Sequence, residues 1–172
     1  MSKTIAADEI IIEQVPDLSA PPMDLLLLAD PDPQSIQNYI DFCLVLRLLH
    51  KGKAIGVLAM SPESREKAEI RNLALIPEYR GKGFVKLLLE EAFKRAARLG
   101  YTSVQVSISN AQIRPFKIFQ QYGFELNDVR WQFYTQHSAE QLIEDGILSR
   151  HQLVLSMALH PGALKPLHPA QP

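Results

Sequence analysis

Pro77-Glu-Tyr-Arg-Gly-Lys-Gly-Phe-Val-Lys86 joins two stretches of opposite periodicity. Before it, Ala68–Ile76 is a β-type run closed by Pro77 and reads as a strand. After it, Val85, Leu88, Leu89, Ala92, Phe93 and Ala96 recur at helical spacing within Gly83–Leu99. Lys86, Glu90, Glu91, Lys94, Arg95 and Arg98 lie mostly outside that face, and Gly100 reads as the helix's C-terminal cap. The Gly81-x-Gly83 pair by itself is expected about once by chance in a chain of this length. Its setting carries the information. Two glycines at a strand-to-helix junction let the backbone turn with its N–H groups exposed. The first helical turn adds unpaired N–H groups at the positive end of the helix dipole. Together they form an anion cradle suited to phosphate, with Arg80 and Lys82 adding positive charge.

Outward from this junction the elements alternate in type. Upstream, Phe42–Leu49 and Ala54–Met60 are β-type runs joined by His50-Lys-Gly-Lys53, a hairpin signal. Glu9–Val15 reads as a first strand, and Met23–Ala29 and Gln34–Ile40 as short helices separated by Asp30-Pro-Asp-Pro33. Downstream, Ser103–Ser109 alternates Val104, Val106 and Ile108, as a half-buried strand does. Ile113–Gln121 reads as a helix and Glu125–Tyr134 as a strand. Ser138–Asp145 reads as a helix capped by Ser138 and followed by Gly146, and Leu153–Leu159 as the last strand. A three-strand meander, a crossover helix and a further strand predict an α/β fold of mixed type. Its central sheet is partly antiparallel and flanked by helices. One domain over residues 8–160 is expected. The stretch after it, with Pro161, Pro166, Pro169 and Pro172, is expected to be a flexible tail over 161–172.

Composition removes several classes of function. The chain has 172 residues, 47% of them hydrophobic and 22% charged, which is ordinary globular usage and excludes disorder throughout. Its 18 basic and 19 acidic residues leave a net charge of −1, so no broad field draws nucleic acid or an anionic membrane. The single cysteine, Cys43, excludes an internal disulfide framework and a multi-cysteine metal site. It lies in an apolar run and reads as a small buried hydrophobe rather than a nucleophile. No two of the five histidines share Zn-ligand spacing on one helix, so no metal is read. The longest apolar runs, such as Leu25–Ala29, are far short of a membrane span, and the N-terminus lacks a signal peptide's apolar run. The expected setting is the cytoplasm.

The phosphate ligand is narrowed by what the loop lacks. A Walker loop needs Gly-x-x-x-x-Gly-Lys-Ser/Thr, and a dinucleotide fingerprint needs a small residue where Lys86 stands. Arg80-Gly-Lys-Gly-Phe84 after a strand instead resembles the pyrophosphate loop of the GNAT superfamily, the acyl-CoA-dependent N-acetyltransferases. That family's pattern is Arg/Gln-x-x-Gly-x-Gly/Ala, and Val85 stands at its last position. Glu69-Ile-Arg-Asn-Leu-Ala-Leu-Ile-Pro77 is similar to the family's central strand, and Asn110 with Lys117-Ile-Phe-Gln-Gln-Tyr-Gly-Phe124 to its later segment. The resemblance covers about residues 8–160, with specific motifs only in 69–124. Leu25-Leu-Leu-Leu-Ala-Asp-Pro31 and Phe133–Ile147 are similar to a bacterial branch, some of whose members are labelled indole-acetate acetyltransferases.

The resemblance implies a GNAT-like acyl-CoA N-acyltransferase fold and acetyl-CoA as co-substrate. It implies that backbone N–H groups of Arg80, Gly81, Lys82, Gly83, Phe84 and Val85 hold the pyrophosphate. Backbone groups of Leu73, Ala74 and Leu75 would pair with the pantetheine arm as an added strand does. An acceptor amine, of a small molecule or a peptide, would attack the thioester directly, with Glu69 as the base. Asn110 would contact the coenzyme near its thioester. Phe119 stands where the family often has a tyrosine that protonates the leaving thiolate, so that proton would come from water or not be needed.

Plainer readings stand beside these. Glu69 could be a solvated or paired strand residue, Asn110 a turn residue, and Phe119 a core residue. Asp30 and Asp32 could attract a cationic amine or cap a helix. The competing functions are an acyl-CoA-binding module without transfer and an interaction protein whose loop is only a helix entry. A homodimer through a sheet edge is an expected assembly.

Overall fold

The computed structural model describes residues 9–137, 142–144 and 146–159. The chain begins with β1 (Ile10–Gln14), α1 (Met23–Leu26), α2 (Pro33–Ile40), β2 (Leu44–His50), β3 (Lys53–Pro62) and β4 (Lys67–Leu75). A 3-10 turn over Pro77–Tyr79 leads into α3 (Phe84–Arg98), followed by β5 (Ser103–Ser109), α4 (Ile113–Gln121) and β6 (Glu125–Arg130). The last elements are α5 (Phe133–His137), β7 (Ile143–Glu144), β8 (Ile147–Leu148) and β9 (Gln152–Ala158).

Among the described residues seven strands form one sheet in the order β1-β2-β3-β4-β5-β9-β6. Every neighbouring pair is antiparallel except β4/β5, which α3 joins as a crossover. The mixed sheet with helices on its faces is the architecture expected above, with a larger antiparallel share.

Alternation along the strands makes two cores. Leu48, Leu58, Ile70, Leu75, Val106, Phe124 and Leu155 lie in one core with Leu88, Leu89, Ala92 and Phe93 of α3. Val45, Val57, Ala59 and Ala74 lie in the other with Leu25, Leu26, Ile36 and Ile40 of α1 and α2. The buried residues of α3 are those that the helical spacing singles out, joined by Phe84, while Val85 is only partly buried. α2 starts where Pro33 sits in the first turn and the Asp32 carboxylate accepts the Gln34 N–H at 2.9 Å.

Three local expectations are corrected. The helix expected over Met23–Ala29 ends at Leu26, and turns carry the chain on to Asp30. The strand expected over Glu125–Tyr134 ends at Arg130, because Gln132 takes a positive φ of 56° and the chain then coils into α5. The helix expected over Ser138–Asp145 is wrong at Ile143 and Glu144, which pair with Leu148 and Ile147 in a small hairpin. Gly146, between the two strands, has φ +76°, a left-handed conformation that breaks a helix. Residues 138–141 and 145 of that expected helix, and the tail at 161–172, lie outside the described residues.

Leu88 is fully buried where α3 crosses the sheet. Leu88→Ala should lower the unfolding free energy by about 2–5 kcal/mol, read from the shift in the urea midpoint with unchanged slope.

Candidate active site

The site begins where two parallel strands part. β4 and β5 pair only from Lys67↔Ser103 to Ile70↔Val106. Beyond that, β5 continues to Ser109 against β9, and β4 continues to Leu75 against β3. The parting coincides with a bulge. Met60 faces Ile70 and Ala59 faces Asn72, so Arg71 is the extra residue in β4.

The open edge has defined hydrogen-bonding groups. Ile76 N–H donates to the Ile55 carbonyl at 3.0 Å, which sets the alternation along the β3/β4 ladder. Ala74, opposite Val57, therefore turns its backbone groups to β3. Leu73 and Leu75 turn theirs away from β3, into the gap. Arg80 Nε donates to the Leu75 carbonyl at 3.1 Å and ties the start of the loop to the end of the strand.

The glycine loop closes the upper end of this gap. Gly81 has φ +74° and Gly83 φ +84°, a region that costs residues with a Cβ about 1–2 kcal/mol. No side chain caps α3, whose N-cap is Gly83. Among the described residues, a Cβ on Gly81 or Gly83 would meet nothing within 4 Å. Val85 packs against the core rather than into the loop. Lys82 Nζ lies 5.3 Å from the centre of the Tyr79 ring. Unpaired helix N–H groups, two left-handed glycines and flanking cations make a site that can hold a phosphate group.

Glu69 sits one residue before the β4/β5 ladder ends and is 5% exposed. Its Oε1 accepts the Ser107 hydroxyl at 2.7 Å, and its Oε2 accepts Arg71 Nη1 at 3.0 Å. Arg71 is held in turn over the Tyr39 ring, 5.2 Å from its centre. Asn72 Nδ2 donates to Tyr39 Oη at 3.1 Å and to the Leu26 carbonyl at 2.9 Å, which fastens α1 and α2 over this end of β4. Burial pushes the Tyr39 hydroxyl above its ordinary pKa. Sequence reasoning missed Arg71, Ser107, Tyr39 and Asn72. The alternation of β5 does place Ser107 on the face away from Val106 and Ile108, but only the register shows that Glu69 shares it.

The remaining candidates take structural positions. Asn110 Oδ1 accepts the backbone N–H groups of Arg150 and His151, both at 2.7 Å, and its Nδ2 donates to the Leu148 carbonyl at 3.1 Å. It thereby braces the turn after β5 against the start of β9. Phe119 is buried edge-to-face on Phe124, with ring centres 5.2 Å apart. Tyr122 packs on the core with its hydroxyl pKa raised by burial and by Glu90 of α3. Asp32 caps α2, and Asp30 accepts the Ser35 hydroxyl at 2.7 Å.

Cys43 lies under α2, where its thiol contacts the Tyr39 carbonyl at 3.2 Å and burial pushes its pKa up to about 12. The thiolate is thereby suppressed. A disulfide reagent at about pH 8 should release nothing from the native protein and one equivalent per chain in guanidinium.

Comparison with known proteins bears on this geometry. The family model described as the acetyltransferase (GNAT) family matches residues 12–124. An IAA acetyltransferase from Bacillus cereus is 31% identical, with a TM-score of 0.80 over 87% of this chain and 99% of that one. A GNAT family acetyltransferase from Elizabethkingia anophelis, solved with acetyl-CoA bound, is 28% identical, with a TM-score of 0.82 over 88% of this chain and 99% of that one. An uncharacterized N-acetyltransferase of Bacillus subtilis, YvbK, is 28% identical over 136 residues, covering 79% of this chain and 88% of the relative.

Proposed function

The chain belongs to the GNAT acetyltransferase family, and from that premise we propose that it moves an acetyl group from acetyl-CoA to an amine of a small molecule or peptide by direct attack. The observation that carries the reading is the open edge of β4 at Leu73 and Leu75, which runs up to the glycine loop at the head of α3. An extended amide-bearing arm fits the first, and a diphosphate fits the second. The Elizabethkingia relative, with acetyl-CoA bound, supports the choice of coenzyme.

In this reading the coenzyme supplies the thioester, and the chain supplies position and charge. N–H groups of the Arg80–Val85 loop hold the pyrophosphate. Backbone groups of Leu73 and Leu75 hold the pantetheine arm, and an N–H at this edge holds the oxygen of the attacked carbonyl. The incoming nitrogen forms its bond to the acyl carbon as the C–S bond breaks. Glu69 takes the proton of the amine, directly or through water, on a carboxylate kept in place by Ser107 and Arg71. Each carboxylate oxygen has more lone pairs than those two bonds use. Phe119 has no proton to give, so the thiolate leaves unassisted or is protonated by water. Asn110 acts by holding residues 148–151 beside the cleft. The reading places the reaction in one domain, residues 8–160, of a cytoplasmic protein, with β1 and β6 as the edges through which a homodimer would pair.

Titration calorimetry should show micromolar binding of acetyl-CoA and CoA that Gly83→Trp abolishes. A wild type that binds neither overturns the reading. Glu69→Gln should keep coenzyme affinity and lower turnover about a hundredfold or more at neutral pH. Binding without turnover over a broad amine panel would make the chain a binding module.

A further inference from the structure

We propose that Glu9, His50 and Tyr79 are positioning residues that hold the glycine loop in its phosphate-binding shape from behind. The inference rests on the coenzyme reading above and adds to it a set of residues outside the cleft.

The loop has few anchors of its own. Arg80, Gly81, Lys82 and Gly83 are all exposed. Tyr79, immediately before them, is half-buried and packs against the core. Its ring touches the loop twice. Lys82 Nζ lies 5.3 Å from the ring centre, and the ring of Phe84, the first residue of α3, is centred 5.7 Å away. The placement of Tyr79 therefore sets the placement of both halves of the loop.

Tyr79 is itself held from the end of β2. Its hydroxyl lies 2.8 Å from His50 Nδ1, and the two rings meet edge to face with centres 5.4 Å apart. His50 ends β2, with its side chain 12% exposed. Its Nε2 lies 3.2 Å from Glu9 Oε2, while Lys51 Nζ lies 3.2 Å from Glu9 Oε1. The hydrogen bond from Lys51 is the largest cause that holds the Glu9 carboxyl below the usual range. An ionised carboxylate only accepts, so a neutral His50 carries its hydrogen on Nε2 and accepts the Tyr79 O–H at Nδ1. The chain Glu9···His50···Tyr79 is thus polarised in one direction, from the edge of β1 to the foot of the loop. The charged groups along it are Glu9, Lys51 and Lys82.

A loop held in its bound shape before ligand arrives loses less entropy on binding. Cutting the chain should weaken the grip on the diphosphate and leave the chemistry at Glu69 alone. The variants are Tyr79→Phe, which keeps the ring and its packing, His50→Leu, and His50→Asn, which keeps an acceptor near the Nδ1 position. Calorimetry is run with CoA and with pantetheine, which lacks the diphosphate. Tyr79→Phe and His50→Leu should bind CoA about three- to tenfold more weakly, with pantetheine affinity unchanged. His50→Asn should recover most of the loss. In acetyl transfer the first two should raise the KM for acetyl-CoA with kcat within about twofold. CoA affinity equal to wild type in both variants, or equal weakening of CoA and pantetheine, overturns the proposal. A wild type that binds no CoA removes the coenzyme reading and this one together, whereas binding that both variants retain removes only this one.

Discussion

The parting of β4 from β5 after Ile70 is the constraint on which the rest of the molecule depends. Parallel strands joined by a crossover helix ordinarily stay paired along their length, and buried backbone groups ordinarily find partners. Here Arg71 is the extra residue in β4, and the gap leaves the inner edge at Leu73 and Leu75 without a strand neighbour among the described residues. Such an edge invites an extended ligand. The same parting sets the exit of β4, and with it the place of the glycine loop and the head of α3. Edge and loop therefore follow one after the other along a single line.

Electrostatics at the parting are arranged around a buried carboxylate. Glu69 stays buried because Ser107 and Arg71 bond it, and Arg71 stays in place because it also lies on Tyr39. An uncompensated buried charge would cost several kcal/mol, roughly, and its partners remove most of that cost. Those partners come from β4, β5 and α2, so the helices that cover one face of the sheet also organise the candidate base. Asn72, one residue on, ties Leu26 of α1 and Tyr39 of α2 to the strand and closes this arrangement.

Legibility followed the length and regularity of each element. α3 could be read residue by residue, because a one-sided apolar pattern over fifteen positions has few alternatives. The β2–β3 hairpin was equally plain, with Lys51 and Gly52 supplying the positive φ values of a tight turn. Among the described residues, positions 131–134, 143 and 144 take another type than their sequence suggests. Their short apolar runs fit either period, and the deciding signals were the positive φ values of Gln132 and Gly146. Among the site candidates, Phe119 packs on Phe124 and Asn110 bonds the backbone of Arg150 and His151, contacts that no local pattern spells out.

By itself the sequence determined the elements near residues 42–124, the sheet-and-crossover class of fold, and the glycine junction between Arg80 and Val85. Each of these rests on local periodicity, on glycine at a junction or on the chemistry of a helix terminus, and such properties are written within a few neighbouring residues. Tertiary structure alone decided that Glu69 faces Ser107, that Arg71 lies over Tyr39, and that His50 stands behind Tyr79. Those contacts join residues twenty-nine or more apart along the chain. Their geometry is set by strand register, and a shift of one residue would turn every side chain to the other face.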